Sequence, residues 1–264
     1  MKSICIGCLV YTLKDKQVKD NLYLDIFYLW LSKLIQSGGL ISSDSLQITI
    51  DTQTYKYLQC NKNILPNLLE KLPCPFTIVE IPPPANSLEG MMNKYAYTDY
   101  TQDVYIYCDI DILISNPIHI VTEQMKDNTI YVCKEGMLSD PNYSEGVIKN
   151  TEEIKDLYGF SAGKFAIVGK GLRNSFFKSI HDLCDYSTKF YTVEQPYFNK
   201  ATYMIPLDKI SVDINLLAEY VSFNGNDYEK EKTIFNDMAG DVADGESHVK
   251  RMINACALYN IADY

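Results

Sequence analysis

Two kinds of hydrophobic spacing alternate along the chain up to about residue 205. Short runs in which nearly every position is apolar predict buried β-strands, and stretches in which apolar residues recur every three or four positions predict amphipathic helices. The clearest helix signal begins near Asn21 and is closed by Gly38-Gly39. The predicted strands are Ile4–Tyr11, Leu46–Ile50, Phe76–Ile81, Val104–Cys108, Thr129–Cys133 and Lys164–Val168.

Three more helices are predicted, at Ile64–Leu72 and Glu89–Tyr100 between these strands and at Asn174–Cys184 after the last of them. Strands that alternate with helices at this interval are typical of βαβ units and a largely parallel sheet. Beyond about residue 205 the pattern changes to short strand-like segments and glycines. We therefore expect an α/β protein that forms a single domain over residues 1–264.

Composition and charge narrow the possible partners. The chain has 264 residues, of which 47% are hydrophobic and 22% charged, as in ordinary globular proteins. Its formal net charge of −10 argues against a nucleic-acid partner, because phosphate backbones are bound by basic surfaces. An anionic ligand would need a metal ion or a few well-placed lysines.

The eight cysteines are scattered, and most lie in apolar runs, which predicts buried thiols rather than a disulfide framework. Cys5 and Cys8 form a C-x-x-C pair, but three histidines in the chain leave few partners for a zinc site, which is a minor alternative. The apolar start is too short for a signal peptide, and no run reaches the roughly 18 to 20 apolar residues of a transmembrane segment. A cytoplasmic location is therefore the default expectation.

Two aspartates follow the fourth predicted strand directly. Asp109 and Asp111 lie at its carboxyl end, the edge where open α/β sheets bind ligands. Residues i and i+2 of an extended segment face the same side, about 6 to 7 Å apart, so both carboxylates can address one Mg²⁺ or Mn²⁺ ion. An Asp-x-Asp triplet also occurs by chance as a solvated loop pair, but apolar residues on both sides make unpaired carboxylates costly here.

Four segments in the correct order resemble a known family. Tyr105–Pro117 resembles the Asp-x-Asp core of GT-A glycosyltransferases, especially the glycogenin-like retaining family (family eight type). Gly159–Gly163 resembles its Phe-Asn-Ala-Gly turn, and Glu194–Asn199 resembles its Asp-Gln-x-x-x-Asn segment. Ile234–Gly240, followed by Lys250, resembles its Ile-x-His-Phe-x-Gly motif with a later lysine. The resemblance implies a GT-A fold with a Rossmann-like, mixed, mostly parallel sheet flanked by helices.

The same resemblance implies transfer of a sugar from a UDP-sugar to a hydroxyl of a glycan, protein or lipid, with retention. Residues 1–118 would form the nucleotide-sugar-binding half and residues 119–264 the acceptor-side half. Asp109 and Asp111 would hold Mn²⁺ or Mg²⁺, whose preferred donors are oxygens. Asp237 stands where the family has a histidine as third ligand, and nearby His248 is the alternative.

The resemblance also implies a nucleotide-sugar site. Tyr11, at the end of the first strand, would stack on the base or serve as core, and Lys94 and Lys250 would contact phosphate or be ordinary surface charges. Glu194 and Gln195 would be the catalytic residues beside the anomeric carbon, unless they only begin a surface helix. The implied donor-site residues are Val10, Tyr11, Thr12, Lys94, Asp109, Ile110, Asp111, Ala162, Gly163, Gly240 and Lys250.

Two other function classes remain open from the sequence. A Mg²⁺-dependent nucleotidyltransferase or phosphohydrolase also uses paired aspartates, but neither G-x-x-x-x-G-K nor G-x-G-x-x-G occurs in the chain. A protein that binds nucleotide-sugars or carbohydrates without turning them over would fit the missing histidine. Turnover of a UDP-sugar with Mn²⁺ would distinguish a glycosyltransferase from such a binding protein.

Overall fold

A seven-stranded mixed sheet forms the centre of the molecule, and a three-stranded sheet lies beside it. The computed structural model describes residues 1–60, 64–96, 100–148, 155–188, 192–206, 210–223, 233–238 and 252. The strands are β1 Ile4–Val10, β2 Ser45–Asp51, β3 Phe76–Ile81, β4 Val104–Cys108, β5 Ile112–Ile114, β6 Thr129–Met137, β7 Tyr158–Val168, β8 Ser211–Asp213, β9 Val221–Phe223 and β10 Phe235–Asp237.

The large sheet has the order β3-β2-β1-β4-β7-β6-β8 and the small sheet the order β5-β10-β9. β1 to β4 pair in parallel, β7 runs antiparallel to both β4 and β6, and β8 is parallel to β6. This confirms the predicted mixed, mostly parallel sheet. Because β1, β2 and β4 are parallel, the segments that follow them share one edge of the sheet.

Helices cover both faces of the large sheet. None of the helices within the described residues combines the length and hydrophobicity that a membrane-spanning helix requires. The α-helices are α1 Tyr23–Ser37, α2 Thr52–Cys60, α3 Ile64–Leu69, α4 Ser87–Met92, α5 His119–Thr122, α6 Pro141–Ser144, α7 Lys170–Leu183 and α8 Gln195–Tyr203. Short 3₁₀ turns lie at Val18–Asp20, Asn93–Tyr95 and Leu217–Tyr220.

The alternation of side chains explains why β1 is apolar at every position. Ile4, Ile6 and Cys8 belong to the core on the α1 side, whereas Cys5 and Leu9 belong to the aromatic core on the opposite face. Each face of the strand is therefore buried against helices. Cys5 and Cys8 point to opposite sides of the sheet, so the minor zinc alternative is wrong, and their thiols are buried as predicted.

Three predicted segments need correction. The helix predicted over Glu89–Tyr100 ends at Met92 and continues only as a 3₁₀ turn. The side-chain amide of Asn93 donates to the carbonyls of Glu89 and Gly90 and so occupies the acceptors of the last helical turn. The helix predicted over Asn174–Cys184 begins earlier, at Lys170. The segment Gly159–Gly163, expected as a turn, is part of the continuous strand β7 because β6 pairs with it on one side.

The α2 helix was not predicted, and it depends on one buried carboxylate. Asp51, at the end of β2, accepts hydrogen bonds from the backbone amides of Gln53 and Thr54 and so caps the helix. Its other oxygen accepts from the amide of Thr12, 2.8 Å away, directly after β1. Asp51 therefore joins the ends of two neighbouring strands at the carboxyl edge of the sheet.

We expect Asp51→Ala to lower the free energy of unfolding by about 2–3 kcal/mol, because three backbone amides lose a charged acceptor. Urea unfolding followed by circular dichroism measures the change. The matched control is Asp140→Ala, which removes an exposed cap with one bond to the amide of Asn142 and should cost about 1 kcal/mol or less. Equal losses in the two variants would contradict the proposed role of Asp51.

Candidate functional site

The turn that carries Asp109 and Asp111 is held by both sheets. The amide of Asp109 donates to the carbonyl of Gly163 at 2.8 Å, which continues the pairing of β4 with β7. The carbonyl of Asp111 accepts from the amide of Met238 at 3.0 Å, directly after β10. The two aspartates therefore lie at the carboxyl end of β4, as predicted, between the large sheet and the small one.

Asp109 is fixed by its neighbours. Its Oδ1 accepts from the hydroxyl of Tyr107 at 2.7 Å and lies 3.4 Å from Nζ of Lys94. Gly163 leaves the space on the other side, since a Cβ there would lie 2.7 Å from Asp109 Oδ2. The predicted donor-site residue Gly163 thus acts by having no side chain next to the carboxylate.

Lys94 lies inside the protein and bridges two acids. Its ammonium contacts Glu194 Oε1 at 2.6 Å, Asp109 Oδ1 at 3.4 Å and the carbonyl of Ala162 at 3.3 Å, and it lies over the Tyr107 ring. Burial alone would lower the lysine's pKa, but the two carboxylates outweigh it and raise the pKa. Lys94 is therefore a buried cation of the site, and the alternative of an ordinary surface charge is wrong.

Glu194 and Gln195 lie at the start of α8, where Glu194 is buried and Gln195 is partly exposed. The Glu194 side chain is 4% exposed, so these residues do not begin a merely superficial helix. Gln195 accepts from the amide of Ala162 at 3.1 Å and donates to the carbonyl of Asn142 at 3.0 Å. Val193, which precedes them, has a φ of 54°, a strained value for a β-branched residue. This strained turn places the Glu194 carboxylate in contact with the Lys94 ammonium.

Asp237 lies close to the aspartate pair, but its carboxylate contacts a lysine. Asp237 Oδ2 is 2.6 Å from Nζ of Lys164, a buried residue on β7 that also pairs with Glu135 on β6. Burial, followed by the negative charges of Asp109 and Asp237, raises the pKa of Asp111 to about 7. Burial is the largest cause of this shift, and the two neighbouring carboxylates add to it.

The residues fit a divalent cation at Asp109 and Asp111. Both supply carboxylate oxygens, which are the donors that Mg²⁺ and Mn²⁺ prefer, and both line one cavity. In the part of the chain that the structure describes, no three His, Cys, Asp or Glu side chains are grouped as metal ligands. Asp237 therefore stays a prediction as third ligand, and His248 lies outside the described residues.

A cavity of about 640 Å³ opens beside the aspartate pair, which is within the usual range for small-molecule sites. One wall is Tyr11, whose ring packs so closely on α4 that a Cβ at Gly90 would lie 2.4 Å from it. Of the predicted donor-site residues, the cavity is lined by Val10, Tyr11, Thr12, Asp109, Ile110 and Asp111. Gly240 and Lys250 lie outside the described residues.

Eleven further residues among those described line the cavity and were missed from the sequence, including Asn21, Tyr23, Met91 and Val193. Asn21 donates to the carbonyl of Tyr11 and to the hydroxyl of Thr12, so it fixes the chain after β1. Burial, with Asp111 and Asp109, raises the pKa of Tyr23 to about 12, so its phenol stays protonated near the aspartates. Asn21 precedes a strong helix signal, which is the one sequence feature that pointed to it.

No family model and no curated protein matches the chain. Its fold matches 226 chains of solved structures. One is the apo structure of the bifunctional glycosyltransferase WbbM, with a TM-score of 0.57 and 12% sequence identity. That likeness covers 96% of this chain and 50% of the WbbM chain, so this chain spans about half the length of that neighbour. At this identity the likeness shows a shared fold.

We expect Gly163→Ala to weaken Mn²⁺ binding by about tenfold, because the new methyl group would displace the Asp109 carboxylate. Titration calorimetry with the nucleotide-free protein measures the affinity. Gly171→Ala is the control, since a Cβ at this exposed helical position meets nothing within 4 Å. Unchanged Mn²⁺ affinity in Gly163→Ala would show that the close contact with Asp109 has no part in cation binding.

Stability in EDTA should fall as the pH rises from about 4 to about 7 and then level off. The pKa of Asp111 in the folded protein, about 7, lies above the ordinary 3.8, so the folded state binds more protons in this interval. Asp111→Asn should flatten the profile, which thermal unfolding at several pH values measures. Parallel profiles for Asp111→Asn and the parent protein would mean that Asp111 titrates normally.

Proposed function

We propose that the protein is a metal-dependent glycosyltransferase that moves a sugar from a UDP-sugar to a hydroxyl group of a glycan, protein or lipid, with retention. The observation that carries the proposal is that one cavity extends from the end of β1 to Asp109 and Asp111. It offers an aromatic ring for a base and carboxylates for a cation in one space. The fold shared with a glycosyltransferase supports the same reading.

In this proposal the donor lies along the cavity from Tyr11 to Asp111. Tyr11 stacks on the uracil, while Thr12, held by Asp51 and Asn21, faces the ribose. Asp109 and Asp111 hold Mn²⁺ or Mg²⁺ beside the diphosphate. The ion, when bound, stabilises the negative charge that develops on the leaving phosphate. Residues 1–118 then supply most of the nucleotide-sugar site.

The buried pair of Lys94 and Glu194 would lie near the sugar. Lys94 balances the charge of Asp109, and Glu194 presents a carboxylate whose pKa is raised by burial, although Lys94 opposes that shift. A carboxylate held in place next to an oxocarbenium-like centre stabilises positive charge without reorganising. Gln195 acts by holding Ala162 and Asn142, so we assign it to positioning the β7 edge. Residues 119–264 would then supply the acceptor side.

The donor class is tested by a thermal-shift panel of UDP-, GDP- and dTDP-sugars with and without Mn²⁺, since a bound ligand raises stability. We expect the largest shift for a UDP-sugar with Mn²⁺. Calorimetry in EDTA is the companion measurement, because the anionic site should repel the diphosphate without a cation. Equal UDP affinity with and without Mn²⁺ would refute metal dependence.

Asp109→Asn and Asp111→Asn should each abolish sugar transfer from the UDP-sugar that binds, and circular dichroism checks that each variant is folded, since Asp109 also pairs with the buried Lys94. The control is Asp182→Asn, an exposed residue of α7 paired with Lys178. Activity in both site variants would remove the metal site from the reaction. Binding of a UDP-sugar without turnover would favour the non-catalytic binding protein, and release of pyrophosphate from a nucleoside triphosphate would favour the nucleotidyltransferase.

A further inference from the structure

Lys164 is a buried cation next to the proposed metal site that the donor chemistry does not use. Its side chain is 1% exposed, and its ammonium pairs with Glu135 on β6 and with Asp237 on β10, 2.6 Å away. Ser161 Oγ lies 3.4 Å from the same nitrogen. The lysine therefore links the large sheet to the small one through an ion pair.

The Lys164–Asp237 ion pair joins β7 and β10, the strands that pair with β4 and β5 on either side of the aspartate turn. Lys164 is opposite Cys108 in the β4–β7 pairing, directly before Asp109. Asp237 is opposite Ile112 in the β10–β5 pairing, directly after Asp111. The amide of Met238, the residue after Asp237, donates to the carbonyl of Asp111 at 3.0 Å, so Asp237 lies beside the aspartate turn. The Asp237 carboxylate thus lies near two groups that can attract it, the Lys164 ammonium and a cation bound by the aspartate pair.

We propose that Lys164 is a positioning residue that competes with the metal ion for the Asp237 carboxylate. The inference rests on the proposed function only in requiring a cation site at Asp109 and Asp111. While the cation site is empty, the ion pair keeps Asp237 turned towards β7. A divalent cation that takes Asp237 as third ligand draws this carboxylate away from Lys164 and so competes with the ion pair.

Glu135 makes this exchange feasible. A buried ammonium that lost its sole counter-ion would be strongly unfavourable, but Lys164 keeps the Glu135 carboxylate when Asp237 leaves. The Glu135 side chain is 16% exposed, so it holds the lysine at the rim of the core. Lys164 and Glu135 together therefore set how readily Asp237 is released, and through it the affinity of the site for the ion.

The decisive measurement is the Mn²⁺ affinity of the nucleotide-free protein, by electron paramagnetic resonance of free Mn²⁺. We expect Lys164→Met to raise the affinity by about ten- to a hundredfold, since impairing or relieving a metal site commonly changes affinity on that scale. The gain should disappear when Lys164→Met is combined with Asp237→Asn, because the lysine acts through that carboxylate. Circular dichroism and thermal unfolding confirm that each variant is folded.

If Lys164→Met does not fold, Glu135→Gln provides a second, independent test. Loss of Glu135 should tighten Lys164 on Asp237 and lower Mn²⁺ affinity, more than the exposed charge control Asp140→Asn does. Unchanged or weaker binding in a folded Lys164→Met, or equal effects of Glu135→Gln and Asp140→Asn, would overturn the competition while leaving the metal site in place. Absence of Mn²⁺ binding in the parent protein would overturn the cation site and the competition together.

Discussion

Negative charge gathered at the carboxyl edge of the sheet is the constraint on which the site depends. Carboxylates on three strands and a helix turn meet there, and only buried cations can keep them ionised. Lys94 pairs with Asp109 and Glu194, and Lys164 pairs with Glu135 and Asp237, so five carboxylates including Asp111 share two lysines. Burial, followed by the charges of Asp109 and Asp237, raises the pKa of Asp111, and in the proposed function a diffusible cation binds there.

The backbone makes this charge arrangement possible by joining two sheets at one turn. β4 and β5 are separated only by the turn that carries Asp109 and Asp111, yet β4 belongs to the large sheet and β5 to the small one. Hydrogen bonds to the carbonyl of Gly163 and from the amide of Met238 hold the turn from both sides. Charged side chains from distant parts of the chain therefore converge at this turn.

Continuous apolar strands, the α1 helix and the position of the Asp-x-Asp pair could be predicted from the sequence, because each depends on local pattern. The α2 helix could not, since its apolar stripe is weak and its start depends on a cap from Asp51, which also serves Thr12. Lys164 looked like the first residue of a strand, and its ion pair joins residues 73 positions apart. Contacts of that kind arise only when the sheets are assembled.

The close packing of Tyr11 on Gly90 has a mechanical consequence. Gly90 belongs to α4, and the 3₁₀ turn that follows α4 without a break carries Lys94. One short helical segment therefore packs against the Tyr11 wall of the cavity and also carries Lys94, the cation beside Asp109. Because packed interiors transmit displacement rather than absorb it, a displacement of Tyr11 would shift this segment and Lys94 with it. Ligand binding at the Tyr11 end of the cavity would then change the position of the lysine at the aspartate end.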